Sequence, residues 1–274
     1  MGYTTGDIRV RFEIALNKSN QEMISESAKS DKYEETIAEE INKTERFTAE
    51  RPKVDVTYPD VLITNNKTGD KTWLEVKMNH TDNLGNVRAS YDGSKWSCSR
   101  KKGEISPLKD YIEEFLNKSN EVAKFVKDLE EYSGIKGVEI PTTKGSFKKG
   151  TGLYSSNAVS KDDLQKFLAA RPNKQYIVSK DKVDLGALVT AHYLKGKAEA
   201  AHYMQAGDDF YLIGKENPLG LPDDIPMLSG IGPFRMRVSI RSEFYEIQPE
   251  IKIEKMPNSK YSVKPGSKKI NPFE

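Results

Sequence analysis

Cysteine and histidine are nearly missing from this 274-residue chain, which holds one cysteine, Cys98, and three histidines. A lone cysteine excludes an internal disulfide framework and a four-cysteine iron–sulfur or zinc site. His192 and His202 have no metal-ligand spacing with Cys98, which argues against zinc. No apolar run approaches the roughly 18 residues that a membrane span needs. The amino-terminal MGYTTGDIRV lacks the basic-then-apolar layout of a secretion signal. The expectation is a cytoplasmic protein with no membrane partner. There is no phosphate-binding Gly-Lys loop, which argues against an NTP-driven motor. Net charge is small too, +2 from 43 basic and 41 acidic side chains. A nucleic-acid binder usually carries a basic excess, so the global count lends such a partner little support.

What is present is local. Charged residues make up 31% of the chain, yet 13 Tyr and 10 Phe beside Ile, Leu and Val can fill a core. Acid concentrates in residues 20–50, while Arg88 to Lys102 and Arg235 to Lys269 carry basic excess. Such patches neutralise phosphates even on a near-neutral protein. Residues 8–16 alternate as a half-buried strand, and 21–43 read as a helix with Tyr33, Ile37 and Ile41 on one stripe. Two strands follow, about Val54–Thr64 and Thr72–Met78, joined by an Asn- and Gly-bearing turn over residues 65–70. Asn79–Gly103 reads as a long polar loop. Ser106-Pro107 opens a helix to about Tyr132, and helices follow near 160–170 and 183–194. The carboxyl half is β-rich. His202–Ala206 and Phe210–Ile213 flank a Gly-Asp-Asp turn, and strands follow at Arg235–Arg241 and Tyr245–Lys255.

The segment that carries chemistry is Tyr58-Pro59-Asp60-Val61-Leu62-Ile63, followed by Glu75-Val76-Lys77. Side chains two apart on a strand share a face, so Glu75 and Lys77 point together while Leu74 and Val76 point away. With the turn centred between Lys67 and Thr68, Asp60 falls directly across the ladder from Glu75. Two carboxylates that close repel unless a cation lies between them. An oxygen-lined site of that size suits Mg2+, with Mn2+ able to substitute. Lys77 beside it serves the attacking water and screens phosphate charge. A one-residue slip would turn Asp60 to the opposite face. The bland alternative is a surface hairpin with an ordinary Glu–Lys pair; Asp60 inside an apolar stretch counts against it.

The pattern Pro59-Asp60, then Glu75-Val76-Lys77, after an acidic helix and within a hairpin, resembles the PD-(D/E)xK nuclease superfamily. The resemblance covers about residues 20–130. It implies an α/β fold with a restriction-endonuclease-like core, a mixed central sheet flanked by helices, and a β-rich carboxyl-terminal part. It also implies a division into a nuclease core at 1–135 and a β-rich part at 136–274 that completes the sheet and recognises substrate. By the same resemblance Asp60, Glu75 and the Val76 carbonyl are metal ligands, Lys77 is catalytic, and a helix glutamate joins them. Glu34 and Glu40 lie near the edges of the buried stripe while Glu35 and Glu39 point outward, and Glu34, beside Tyr33 on the packed face, is the preferred glutamate.

Candidate nucleic-acid contacts are Asn83, Arg88, Trp96, Arg100 and Lys101 in the polar stretch. Arg235, Arg237 and Arg241 alternate with Met236, Val238 and Ile240 to form an arginine ribbon. Trp96 either stacks on an unpaired base or anchors its loop to the core. The ribbon either faces phosphate or pairs with Glu243 or Glu246. The first expectation is a site-specific, Mg2+-dependent DNA endonuclease acting as a homodimer on a symmetric site. A homing, phage-type or recombination nuclease of the same superfamily follows. The rival from another class is a nucleic-acid-binding or assembly protein without catalysis.

Overall fold

A computed structural model describes residues 28–52, 58–80, 82, 85–142, 157–171, 176–240, 245–251 and 256–274. The strand expected at 8–16, the first turns of the helix expected from 21, and residues 54–57 lie outside them. The first helix, α1, spans residues 28–42. Ile37 and Ile41 on its stripe are fully buried, and Tyr33 packs at the edge of the same cluster. Complete burial of each isoleucine contributes about 1.5–3 kcal/mol.

The first sheet is mixed and runs β1 (Phe47–Glu50), β2 (Val61–Asn65), β3 (Lys71–Lys77), β8 (Ala201–Ala206), β9 (Asp209–Leu212). β1, β2 and β3 are antiparallel, β3 and β8 are parallel, and β8 returns antiparallel to β9. The hairpin register pairs Val61 with Leu74 and Leu62 with Trp73. Asn65 sets the turn: its side-chain oxygen accepts the N–H groups of Lys67 and Thr68, an Asx turn that stands in for a missing backbone turn.

The polar stretch 79–103 is a correction to the expected loop, for it carries β4 (Gly85–Asn86), β5 (Ala89–Tyr91) and β6 (Trp96–Cys98). They enter a second sheet, ordered β6-β5-β11-β10-β7, with β4 also on β11. Its other strands are β7 (Tyr176–Asp184), β10 (Ile231–Ile240) and β11 (Tyr245–Ile251), and all its pairings are antiparallel. Each sheet thus draws strands from both sides of residue 135.

The helix expected from Ser106 to Tyr132 is two helices. Ser106 caps α2 (Pro107–Lys118) by accepting the Lys109 N–H. Ser119 then adopts an extended conformation and caps α3 (Asn120–Ser133) through the Val122 N–H. A serine that bonds the backbone locally competes with helix continuation, which is why the break falls there. α4 (Lys161–Ala169) and α5 (Leu185–Ala191) follow, and a π-helical turn over His192–Gly196 extends α5. Asp184 caps α5 through the N–H groups of Gly186 and Ala187.

The two faces of the first sheet belong to different cores. Val61, Ile63, Leu74 and Val76 pack with α1, Phe210 and the carboxyl-terminal Tyr261, Val263 and Phe273. Trp73, Met204 and Tyr211 face the larger cluster, with α2, α3, α5 and the second sheet. Side-chain alternation along β3 therefore sends Glu75 and Lys77 to the larger side.

Candidate active site

Asp60 stands one residue before β2. Its Oδ2 accepts the backbone N–H of Val76 at 2.8 Å, so the carboxyl bridges from the start of one strand to the end of the next. The pairing of Val61 with Leu74 makes Glu75 its cross-strand neighbour. Glu75 is 2% exposed. Its Oε1 accepts Lys77 Nζ, and the buried Tyr193 hydroxyl also hydrogen-bonds this carboxylate. Glu75 Oε2 is buried with no hydrogen-bond donor. Lys197 Nζ is 3.6 Å from it.

The electrostatics follow from that crowding. Burial, then the charges of Glu75 and Glu34, push the Asp60 carboxyl up to about 7, against the opposing pull of Lys77. Burial works to raise Glu75 as well, but Lys77 and Lys197 outweigh it and hold Glu75 below its ordinary value. Burial opposes the charge on Lys77, and Glu75 overcomes this, so Lys77 remains an ammonium. The two acids sharing one pocket are driven apart in proton affinity, as closely placed carboxylates are.

Glu34 is buried on α1, near enough to raise Asp60. Its own carboxylate is engaged elsewhere, accepting Arg51 Nε at 2.6 Å and the Ser30 hydroxyl at 3.2 Å. Glu34 thus pairs with Arg51 while its charge bears on Asp60.

Two residues that local reading missed come from the far half of the chain. Tyr193 lies in the π-helical turn and Lys197 just after it, on the segment that leads into β8. Lys197 Nζ lies 5.6 Å from the centre of the Tyr193 ring and donates to the Tyr58 carbonyl at 3.4 Å. Their delivery depends on the parallel pairing of β8 with β3, where Glu75 lies beside Met204. The one signal in the sequence was the short-range pattern Tyr193-x-x-x-Lys197 on a helical stretch, which by itself is unremarkable. His192 is pushed down to about 4 by burial, with Lys197 adding to it, so it stays neutral.

The candidate nucleic-acid contacts disperse. Asn83 and Arg241 lie outside the described residues. Trp96 is a correction: it is 3% exposed, within 5.3 Å of the Tyr91 ring and packed in the larger core, so its face is unavailable to a base. Arg100 is held at 2.8 Å from Asp110 and 3.3 Å from Glu113. Lys101 is exposed. Arg88 is largely exposed, with Nε 3.0 Å from Glu246. Arg235 and Arg237 do share one face of β10, and Glu250 lies 2.6 and 3.9 Å from them. The register sets this, because Arg235 lies opposite Glu250. Glu243 lies outside the described residues. Arg88, Arg235 and Arg237 belong to the second sheet and its margin, whereas Glu75 and Lys77 are on the first.

No family model matches the chain, and no curated protein matches it. Among solved structures it is similar to a HhaI endonuclease in complex with DNA. The identity is 14%, 82% of this chain and 86% of that chain are covered, and the TM-score is 0.26. A likeness that faint places no residue. Among the described residues, no helix is long and apolar enough to cross a membrane.

Proposed function

We propose that the chain is a Mg2+-dependent endodeoxyribonuclease that hydrolyses DNA phosphodiester bonds at specific sites. The observation that carries this reading is the placement of a partly buried Asp60 opposite a fully buried Glu75 across the β-hairpin, with Lys77 on the face of Glu75. Nothing in an ordinary surface hairpin requires an acid to be buried beside a second one, and burial of unmatched charge is costly.

A divalent cation fits these donors. Glu75 Oε2 is a buried acceptor with no donor, and the Glu75 charge adds to burial in raising the proton affinity of Asp60. Among the described residues no three His, Cys, Asp or Glu side chains form a ready cluster. The donor set is therefore two carboxylates with the Val76 carbonyl, the sparse protein ligation that Mg2+ accepts alongside water and phosphate. When bound, the cation supplies a water of lowered pKa and screens the phosphate. Lys77, held as an ammonium, orients that water and neutralises charge on the phosphoryl oxygens; it is not the base. Asp60 must shed its proton before it can serve as a ligand, which links activity to pH near 7.

Cutting both strands at a symmetric site favours a homodimer. Plasmid and linear DNA incubated with Mg2+ beside Lys77→Ala and Asp60→Ala variants test the reading. Discrete fragments from the parent and none from either variant support it. Binding without cutting by all three replaces it with a binding protein. Progressive loss from ends identifies an exonuclease. Mn2+ should sustain cutting and Ca2+ should permit binding alone.

A further inference from the structure

A cleft of about 370 Å3 opens beside the acidic pair, walled by Tyr58, Leu62, Trp73 and Ala200 and rimmed by Lys71, Thr72, Glu199 and His202. Its position follows from the strands. Leu62 and Trp73 are cross-strand partners and so share a face. Trp73 precedes Glu75 by two residues on β3, so its side chain is on the face of Glu75, about 7 Å along the strand. Tyr58 precedes Asp60 by two residues, and its carbonyl accepts the Lys197 amine that also approaches Glu75. The β3–β8 pairing shifts register between Trp73 and Leu74, beside the cleft-lining Trp73 and His202.

The lining has the chemistry of a flat, amphipathic ligand. The part-exposed Tyr58 ring forms an aromatic wall, backed by the buried Trp73 ring at 5.7 Å with a 49° tilt. Thr72 Oγ1 and His202 Nδ1 lie 2.7 Å apart on the rim, and the exposed carboxylate of Glu199 offers acceptors. The volume is at the small end of ligand pockets, which run from about 300 to 1,000 Å3. It suits one ring system and excludes a base pair.

We propose that this cleft holds one unpaired nucleobase of the strand being cut, from a nucleotide adjoining the phosphate at the Asp60–Glu75 pair. The inference rests on the nuclease reading for the identity of its ligand. A base enters only after leaving its stack, so the favoured substrates carry an unpaired nucleotide at the cut or give one up readily. Aromatic side chains hold bases this way with little regard to sequence, and Glu199 adds preference for a base bearing an amino group.

The test is binding of the full chain, in EDTA, to a fluorescently labelled 15-nucleotide single strand and to an abasic strand of equal length and charge. Anisotropy should show the base-bearing strand bound about tenfold tighter. Tyr58→Ala, and separately Ala200→Phe to fill the cleft, should abolish that ratio while the abasic affinity holds. Circular dichroism checks that each variant is folded, and either folded variant suffices. Equal affinity for the two strands in the parent, or a ratio that survives in a folded variant, overturns the proposal. Plasmid cleavage with Mg2+ is run in parallel. A base-dependent ratio without cleavage removes the nuclease reading and keeps a base site. Cleavage without the ratio does the reverse.

Discussion

The Asp60 carboxylate receives the Val76 N–H at 2.8 Å, fixing an acid at the mouth of one strand against the backbone of the next. That bond aligns Asp60 with Glu75, and it also lowers the proton affinity that burial raises. Burial prevails, and the consequences are measurable.

Stability in EDTA should fall between pH 4 and 7 through Asp60. Its folded pKa of about 7 lies above the ordinary 3.8, so in that window the folded chain keeps a proton that the unfolded chain has lost. Stability then decreases with rising pH and levels off above 7. Asp60→Asn removes the need to ionise and should gain on the order of a few kcal/mol at pH 8, with little gain at pH 4. Urea titrations at the two pH values measure this. A variant no more stable than the parent at pH 8 contradicts it.

Mg2+ should raise the melting temperature of the parent, but of neither Asp60→Asn nor Glu75→Gln. The rise should grow from pH 5.5 to about 7 and then level, because metal and proton compete for Asp60. Differential scanning fluorimetry with and without Mg2+ reads it directly. An equal rise in all three proteins would place the cation elsewhere.

Lys197→Ala should reduce cleavage by roughly ten- to a hundredfold, while Lys197→Arg retains most of it. The alanine leaves Glu75 Oε2 without its nearby cation, and buried charge lacking a partner is costly. Steady-state rates on one plasmid substrate compare the two. Full activity in the alanine variant would reduce Lys197 to a packing residue.

Gly186→Ala should destabilise by about 1–3 kcal/mol, the cost of overpacking a filled core. A methyl there would meet Ser229 Cα at 2.6 Å, and backbone cannot swing aside as a long side chain can. Chemical denaturation gives the number. A neutral effect would mean that α5 and the segment before β10 are free to separate.

Trp96→Ala should cost about 3–5 kcal/mol of stability, as aromatic deletions in cores do. DNA affinity of the folded variant should be unchanged, since the ring is 3% exposed. Anisotropy binding at a temperature below its unfolding checks this. A selective loss of affinity would restore Trp96 to the interface.

Sequence by itself determined what short range controls. The Asn65 turn and the alternation on either side of it set the hairpin register, and with it the opposition of Asp60 to Glu75. The spacing of Ile37 and Ile41 chose the buried face of α1 and placed Glu34 near its edge. These contacts lie within a few tens of residues, where propensity and period decide. Only the tertiary structure decided that β8 lies parallel to β3, bringing Tyr193 and Lys197 to Glu75. It alone buried Trp96, and it gave Arg235 and Arg237 to Glu250. Those outcomes join segments tens to more than a hundred residues apart or turn on side-chain packing, and no local pattern encodes which distant surface a strand edge or a ring will meet.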